Sequence, residues 1–298
     1  MSQIFDALHR SETERPGIEA RRFAAATDLL EAAEQNLAQD LPKEQPRLAA
    51  ENRGDVSPFS SAKIVTPTQS KILFGQNGES LAAEKFRYLG VRLRHLQQKS
   101  LLRRLLITSS MPEEGKSTIA ANLACALATK QEQKILLLEG DLRRPTLAQQ
   151  FGLGAVPGLS EWLEGEPSLA VNVCRLDGLG FYILPAGKPP IDPLALLQSD
   201  RLPVLMDQLS SWFDWIVIDS PPVLPLADTS VWMRTTDAIL LVTRPGKTSK
   251  SQLQRSLEVL EQPKLLGALV NGSKEPAASA YYYYGGRQTE PAIAGQPT

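Results

Sequence analysis

The chain has 298 residues, 42% of them hydrophobic, a composition that suits a soluble globular protein able to bury one good core. Its formal net charge of −1 supplies no global basic field, which disfavours nucleic acid and anionic lipid as partners. No stretch approaches the roughly 18 to 20 consecutive apolar residues of a membrane span, and the N-terminus lacks the apolar core of a signal peptide, so a cytoplasmic location is expected.

Taken from the start, Met1 to Arg10 place Ile4, Phe5 and Leu8 on one helical face, the pattern of a short amphipathic helix over 1–12. A helix this short is marginal alone in water. It either docks on the core or on another protein, or it is an unstructured terminus with a chance pattern. Residues 13–59 are rich in Ala, Glu, Gln and Arg and read as a linker, partly helical and mostly disordered. Order is expected from about Ser60, in a domain spanning 60–275. Leu81, Phe86, Leu89, Leu93 and Leu96 recur at helical spacing through Ser80 to Gln97. Beyond them the chain alternates apolar strands with helices. Strands are expected over 105–108, 135–139, 181–185, 215–219, 238–243 and 267–271, and helices over 116–130, 193–197, 202–212 and 249–260. Near-continuous hydrophobic strands between helices indicate an α/β fold, a doubly wound and mostly parallel sheet covered on both faces. Cys125 and Cys174 have no metal-ligand spacing around them and read as small core residues in a reducing cytosol. Trp212, Phe213, Trp215 and Trp232 sit in or beside core segments and read as packing rather than as a ligand platform.

Three segments carry chemistry. Ser110, Met111, Pro112, Glu113, Glu114, Gly115, Lys116, Ser117 and Thr118 follow a strand and open an alanine-rich helix, the setting of a phosphate-binding P-loop. There, backbone N–H groups cradle phosphate oxygens, Lys116 reaches the β and γ phosphates of a nucleotide, and Ser117 offers its hydroxyl to Mg²⁺. Ser110 stands where the usual pattern has its first glycine. Glu139 and Asp141 come at the end of the second apolar strand, two residues apart and so able to face one side. Asp219 ends another strand at a Walker B-like position for a metal's water shell. Arg143 either stabilises a transferring phosphoryl group or pairs with a carboxylate. Asn271, at the last strand end, either meets a base edge or caps the strand.

The tail over 276–298 is rich in Gly, Ala and Pro, yet holds four of the six tyrosines consecutively at Tyr281, Tyr282, Tyr283 and Tyr284. A segment with few other apolar residues can neither bury a phenol ring nor pair its hydroxyl. Beside a nucleotide site, this run reads as a phosphorylation substrate; the plainer reading is an adhesive tail.

The set SSMPEEGKST, LLLEGDLRRP, IVIDSPP, PAGKPPIDPLALL and YYYYGG resembles the bacterial tyrosine kinases of capsule and exopolysaccharide synthesis, over about Ser80 to Gly286. The opening MSQIFDALHRSE is similar to the start of the stand-alone members, whose activator is a separate chain. The resemblance implies a P-loop NTPase domain of the MinD/ParA-like branch and an ATP- and Mg²⁺-dependent autokinase. Its tail would be phosphorylated by a neighbouring subunit. By motif, Lys116 would neutralise the phosphates, Ser117, Asp141 and Asp219 would serve the metal, and Glu139, an Asp in the usual pattern, would orient or deprotonate the phenol. The partners implied are a transmembrane polysaccharide copolymerase-type activator at the inner membrane, further copies of the chain in a ring, and a phosphotyrosine phosphatase. Glu84 and Arg87 match the first half of the family's ring-forming helix, while Gly90 occupies the final arginine's place. The pair is either an interface or an ordinary helical ion pair.

Two other functions compete with the kinase. A MinD/ParA-type positioning ATPase, which hydrolyses ATP as a sandwich dimer, would carry a signature lysine where this chain has Met111. A degenerate nucleotide-binding scaffold would explain Ser110, Glu139 and Gly90 as decay. The fate of the γ-phosphate separates the three: phenol, water or nowhere.

Overall fold

Among the described residues, aliphatic runs set off by Gly, Pro and polar turns form most of the eight strands, and segments between them that repeat at helical spacing form the helices. The computed structural model describes residues 59–63, 72–73, 80–129, 132–166 and 168–273. The expected N-terminal helix, nearly all of the linker and the tyrosine tail lie outside the described residues. In chain order the elements are β1 (Ser60–Lys63), α1 (Leu81–Lys99), β2 (Arg104–Ser109), α2 (Lys116–Ala128) and β3 (Ile135–Glu139). Next come α3 (Leu147–Gln150), α4 (Leu159–Glu164), α5 (Leu169–Asn172), β4 (Cys174–Asp177), β5 (Phe181–Leu184) and α6 (Pro193–Leu197). The remainder are α7 (Arg201–Trp212), β6 (Trp215–Asp219), α8 (Asp228–Arg234), β7 (Ala238–Thr243), α9 (Lys250–Val259) and β8 (Leu265–Val270).

The strands form one sheet in the order β1-β4-β5-β3-β6-β2-β7-β8. Every neighbouring pair is parallel except β4 with β5. This is the doubly wound, mostly parallel sheet expected. Alternate residues of each central strand feed opposite layers. Leu105, Ile107, Leu137, Val217 and Leu240 pack on the side of α1 and α2, while Leu106, Leu138, Ile218 and Leu241 pack on the other. Each fully buried aliphatic side chain of this kind contributes about 1.5 to 3 kcal/mol. The consequence for the site is positional: β3, β6 and β2 lie side by side, so their carboxyl ends meet at one edge.

α2 is buried all round from Ile119 to Ala128, between the sheet and α1. α1 lies across it with Gly90 inward, where an added Cβ would stand 3.7 Å from Ala126. Position 90 therefore faces the core rather than a neighbouring subunit. Glu84 and Arg87 make an exposed pair at 2.7 Å within α1. Trp215 and Phe213 are buried, and Phe59, Tyr182, Trp212 and Phe213 form a cluster of ring contacts at 5.2 to 5.8 Å. Both cysteines are free and buried. Among the described residues, no helix is long and apolar enough to cross a membrane.

Candidate nucleotide and phosphoryl-transfer site

The loop between β2 and α2 is held open for an anion by its own chemistry. Gly115, the residue before α2, has φ 96°, a left-handed conformation that suits glycine, and no side chain caps the helix. The first N–H groups of α2 are thus left to a ligand. A Cβ at Gly115 would stand 2.0 Å from Asn271 Nδ2. Among the described residues, Glu113 is the one non-glycine residue at positive φ, 65°. Ser110, in the first-glycine place, needs no such conformation; it is buried and its Oγ accepts from Ser256 Oγ at 2.9 Å.

Residues just past the ends of β7 and β8 brace this loop. Glu114 is fully buried, accepting the Met111 N–H at 3.0 Å with one carboxylate oxygen and the Thr248 hydroxyl with the other. Asn271 Nδ2 donates to the Glu114 carbonyl at 2.8 Å. Glu113 meets Lys247 Nζ at 2.6 Å, and its carbonyl accepts from Arg244 Nη1 at 3.3 Å. Lys247 holds the Glu113 carboxyl below its ordinary range. A cleft of about 530 Å³ runs alongside, lined by Glu113, Gly115, Thr118, Arg244, Lys247, Asn271 and Gly272. Arg244 and Lys247 were not among the residues expected from sequence. Their place just past the carboxyl end of a strand next to the P-loop strand was the available signal.

On the other side of the loop, Lys116 Nζ lies 2.9 Å from Asp141 Oδ2, 3.7 Å from Asp219 Oδ1 and 3.4 Å from Ser117 Oγ. Burial pulls the lysine's pKa down, but Asp219 and Asp141 more than offset it and hold the ammonium above its ordinary value. Asp219 is itself buried, and desolvation pushes its pKa from 3.8 up to about 6 against the pull of Lys116. Its Oδ1 is buried without a hydrogen-bond partner. A buried, orphaned carboxylate oxygen beside a serine hydroxyl at a helix start is an all-oxygen donor set that fits Mg²⁺. That ion typically uses one or two carboxylates and keeps its water and phosphate ligands. Among the described residues there is no group of three or more His, Cys, Asp or Glu suited to a closed metal cage.

Glu139 does not share this setting. It is fully buried; Oε1 accepts the Thr146 and Leu147 N–H groups and Oε2 accepts the Ala186 N–H at 3.0 Å. Burial raises its pKa, opposed by these backbone donors. A carboxylate filled by three backbone N–H groups holds loops together; it has no oxygen presented to a phenol. The expected role as base therefore meets a physical obstacle, and Asp141 is the carboxylate at the Lys116 side. Arg143 takes the pairing alternative, with Nε 2.7 Å and Nη2 3.0 Å from the two oxygens of buried Asp228. That bidentate contact raises the guanidinium pKa further.

A helix that starts at a Gly-Lys-Ser-Thr loop after a central parallel strand, with acidic tips on the neighbouring strand β6 and on β3 beyond it, defines a P-loop NTPase. No protein-family model matches the chain. Among known proteins, tyrosine-protein kinase YwqD of Bacillus subtilis is 34% identical over 219 residues, covering 73% of this chain and 92% of YwqD. Tyrosine-protein kinase ptk of Acinetobacter johnsonii is 32% identical over 219 residues, 72% of this chain; the match spans 29% of the length of ptk. The solved kinase domain of Escherichia coli tyrosine kinase ETK superposes with TM-score 0.63 at 27% identity, over 77% of this chain and 98% of that domain. The chain belongs to the bacterial tyrosine-protein kinases.

Proposed function

We propose that the chain transfers the γ-phosphoryl group of ATP to tyrosine, with Tyr281 to Tyr284 of a neighbouring copy as its acceptors. The observation that carries this reading is the Lys116 ammonium between Asp141 and Asp219, with Asp219 Oδ1 left without a hydrogen bond. In the reaction, Lys116 shifts its charge from the carboxylates to the β and γ phosphate oxygens, while the free N–H groups of α2 hold the same anion. Ser117 and Asp219 would hold Mg²⁺, which neutralises charge on the phosphates. Asp141, released by Lys116, accepts the hydrogen bond of the incoming phenol. The phenol oxygen bonds to the γ-phosphorus as the bond to the β–γ bridging oxygen breaks. ADP leaves with that electron pair, and the phenolic proton passes to Asp141 and then to water. Positioning and electrostatics supply most of the rate in such a transfer. The cleft beside Arg244, Lys247 and Asn271 takes the nucleoside.

Each phosphotyrosine adds about −1.5 to −2 charge, so a modified tail is repelled by its neighbours and by the acidic site. The cycle of binding and release regulates polymerisation and export of a capsule or exopolysaccharide. Its activator is a transmembrane polysaccharide copolymerase-type protein that holds the chain at the inner membrane. A phosphatase resets the tail, and a ring of copies presents it. Light scattering on the purified protein with the activator's cytoplasmic segment tests the cycle. Assembly before Mg-ATP and dissociation after it are expected; replacing Tyr281 to Tyr284 by Phe with no change in either state would refute it.

A further inference from the structure

The peptide between Glu139 and Asp141 is gripped from both sides. Gly140 N–H donates to the Asp219 carbonyl at 2.8 Å, which ties it to β6. Its carbonyl accepts from Trp232 Nε1 at 3.1 Å. Trp232, on α8, is fully buried, and a Cβ at Gly140 would stand 2.8 Å from its ring. α8 makes two more such contacts: Asp228 takes Arg143 bidentately, and Thr229 Oγ1 donates to the Pro221 carbonyl at 2.8 Å. One seven-residue helix therefore grips both loops that carry the site's acidic residues, the one after β3 with Asp141 and the one after β6 beyond Asp219.

We propose that Trp232 is a positioning residue for phosphoryl transfer, fixing through the Gly140 carbonyl where the Asp141 carboxylate stands relative to Lys116. The inference rests on the assignment of Asp141 to the reacting site. An indole N–H beneath a buried carbonyl is directional, and a buried carbonyl that loses its donor has reason to rotate. Rotation of the Gly140 peptide would swing Asp141, whose Oδ1 also accepts the Arg144 N–H at 3.0 Å, away from the lysine. Displacements near 1 Å at a reacting centre can lower rates by about 100-fold. Lys116 and the start of α2 lie on a different loop from Gly140, whose carbonyl Trp232 holds, so ATP binding should be spared.

The test compares the full-length protein with Trp232→Phe, Asp141→Asn and the double variant. Each is assayed with Mg-ATP and a synthetic peptide of residues 279–286, with ATP affinity and melting temperature measured on the same samples. Expected for Trp232→Phe is a kcat lower by about 10-fold with ATP affinity within about twofold of the parent. Expected for the double variant is a kcat no lower than that of Asp141→Asn. An unchanged kcat in Trp232→Phe beside an inactive Asp141→Asn overturns the positioning role and leaves the site reading standing. Parallel loss of kcat, ATP affinity and melting temperature overturns it in favour of plain packing. A fully active Asp141→Asn removes the site reading and this inference together. Should Trp232→Phe fail to fold, Asp228→Asn loosens the same loop through Arg143 and is held to the same split between kcat and ATP affinity.

Discussion

Glu139 and Asp219 are register partners on the adjacent parallel strands β3 and β6, yet their carboxylates are used in opposite ways. Glu139 is filled by backbone N–H groups from the loop leading into α3 and from Ala186, whereas Asp219 keeps a buried oxygen without a hydrogen bond beside Lys116. One residue secures the frame of the site and the other is left ready for a ligand.

Asp219→Asn should stabilise the protein in the absence of nucleotide while abolishing Mg²⁺-dependent turnover. The folded pKa of about 6 lies above the ordinary 3.8, so the folded protein binds this proton more tightly than the unfolded chain. The resulting penalty is absent below the ordinary value, grows as pH rises from 3.8 to about 6, and is fully present above that. Removing the charge should raise stability at neutral pH by roughly 1 to 2 kcal/mol, part of the gain being offset by Lys116 losing a partner. Denaturant melts at pH 7 and pH 4 check this: the difference between parent and variant should shrink at the lower pH.

Acidification should weaken the parent enzyme through the same group. Protonating Asp219 removes its charge and weakens its grip on the metal, so the Mg²⁺ concentration for half-maximal turnover should rise as pH falls through about 6. Mg²⁺ titrations from pH 5 to pH 8 measure this directly; a half-maximal concentration independent of pH would count against Asp219 as the metal's carboxylate.

Glu139→Gln should lower stability by about 1 to 3 kcal/mol, because an amide NH₂ then faces one of the three backbone donors. Its kcat against pH should keep the acidic limb of the parent profile. Loss of that limb at unchanged stability would restore Glu139 as the base.

Gly115→Ala should abolish ATP binding. The substitution asks an L residue to adopt φ 96° and drives a methyl group into Asn271 Nδ2. Isothermal titration with Mg-ATP reads the loss, and retained affinity would mean that the loop rearranges on binding.

Glu113→Gln should tighten ATP and Lys247→Ala should weaken it, each by several-fold in KM with kcat nearly unchanged. The carboxylate and the ammonium line the same cleft, where a polyanion enters, and their charges act in opposite directions on it. Equal shifts of the same sign in both variants would show that their ion pair, rather than its separate charges, governs the cleft.

Much of this arrangement was legible in the sequence. β3, β6 and β7 run over the residues expected, because a buried parallel strand is a continuous apolar run and needs no context to be recognised. The P-loop was legible because Gly-Lys-Ser-Thr after a strand has few other uses. β1 and β4 were not, since SSAK and CRLD contain no continuous apolar run, unlike the equally short β5, FYIL. α8 was missed for a related reason: it has only seven residues, and its buried side mixes Asp228 and Thr229 with Trp232 and Met233, so no apolar stripe marks a helix. Trp232 was rightly read as packing, but its N–H partner, Gly140, is fixed only by tertiary structure. The fate of Glu139 was likewise hidden, because its donors come from Thr146, Leu147 and Ala186, and Ala186 is brought in by the pairing of β3 with β5.

The most direct test of the central claim is to incubate the protein with Mg-ATP, alone and with the cytoplasmic segment of the proposed activator, and to map phosphate by mass spectrometry beside a Lys116→Met control. The account predicts phosphate on Tyr281 to Tyr284 that disappears in the control. Unmodified tyrosines with inorganic phosphate released, or with bound nucleotide left intact, would contradict it.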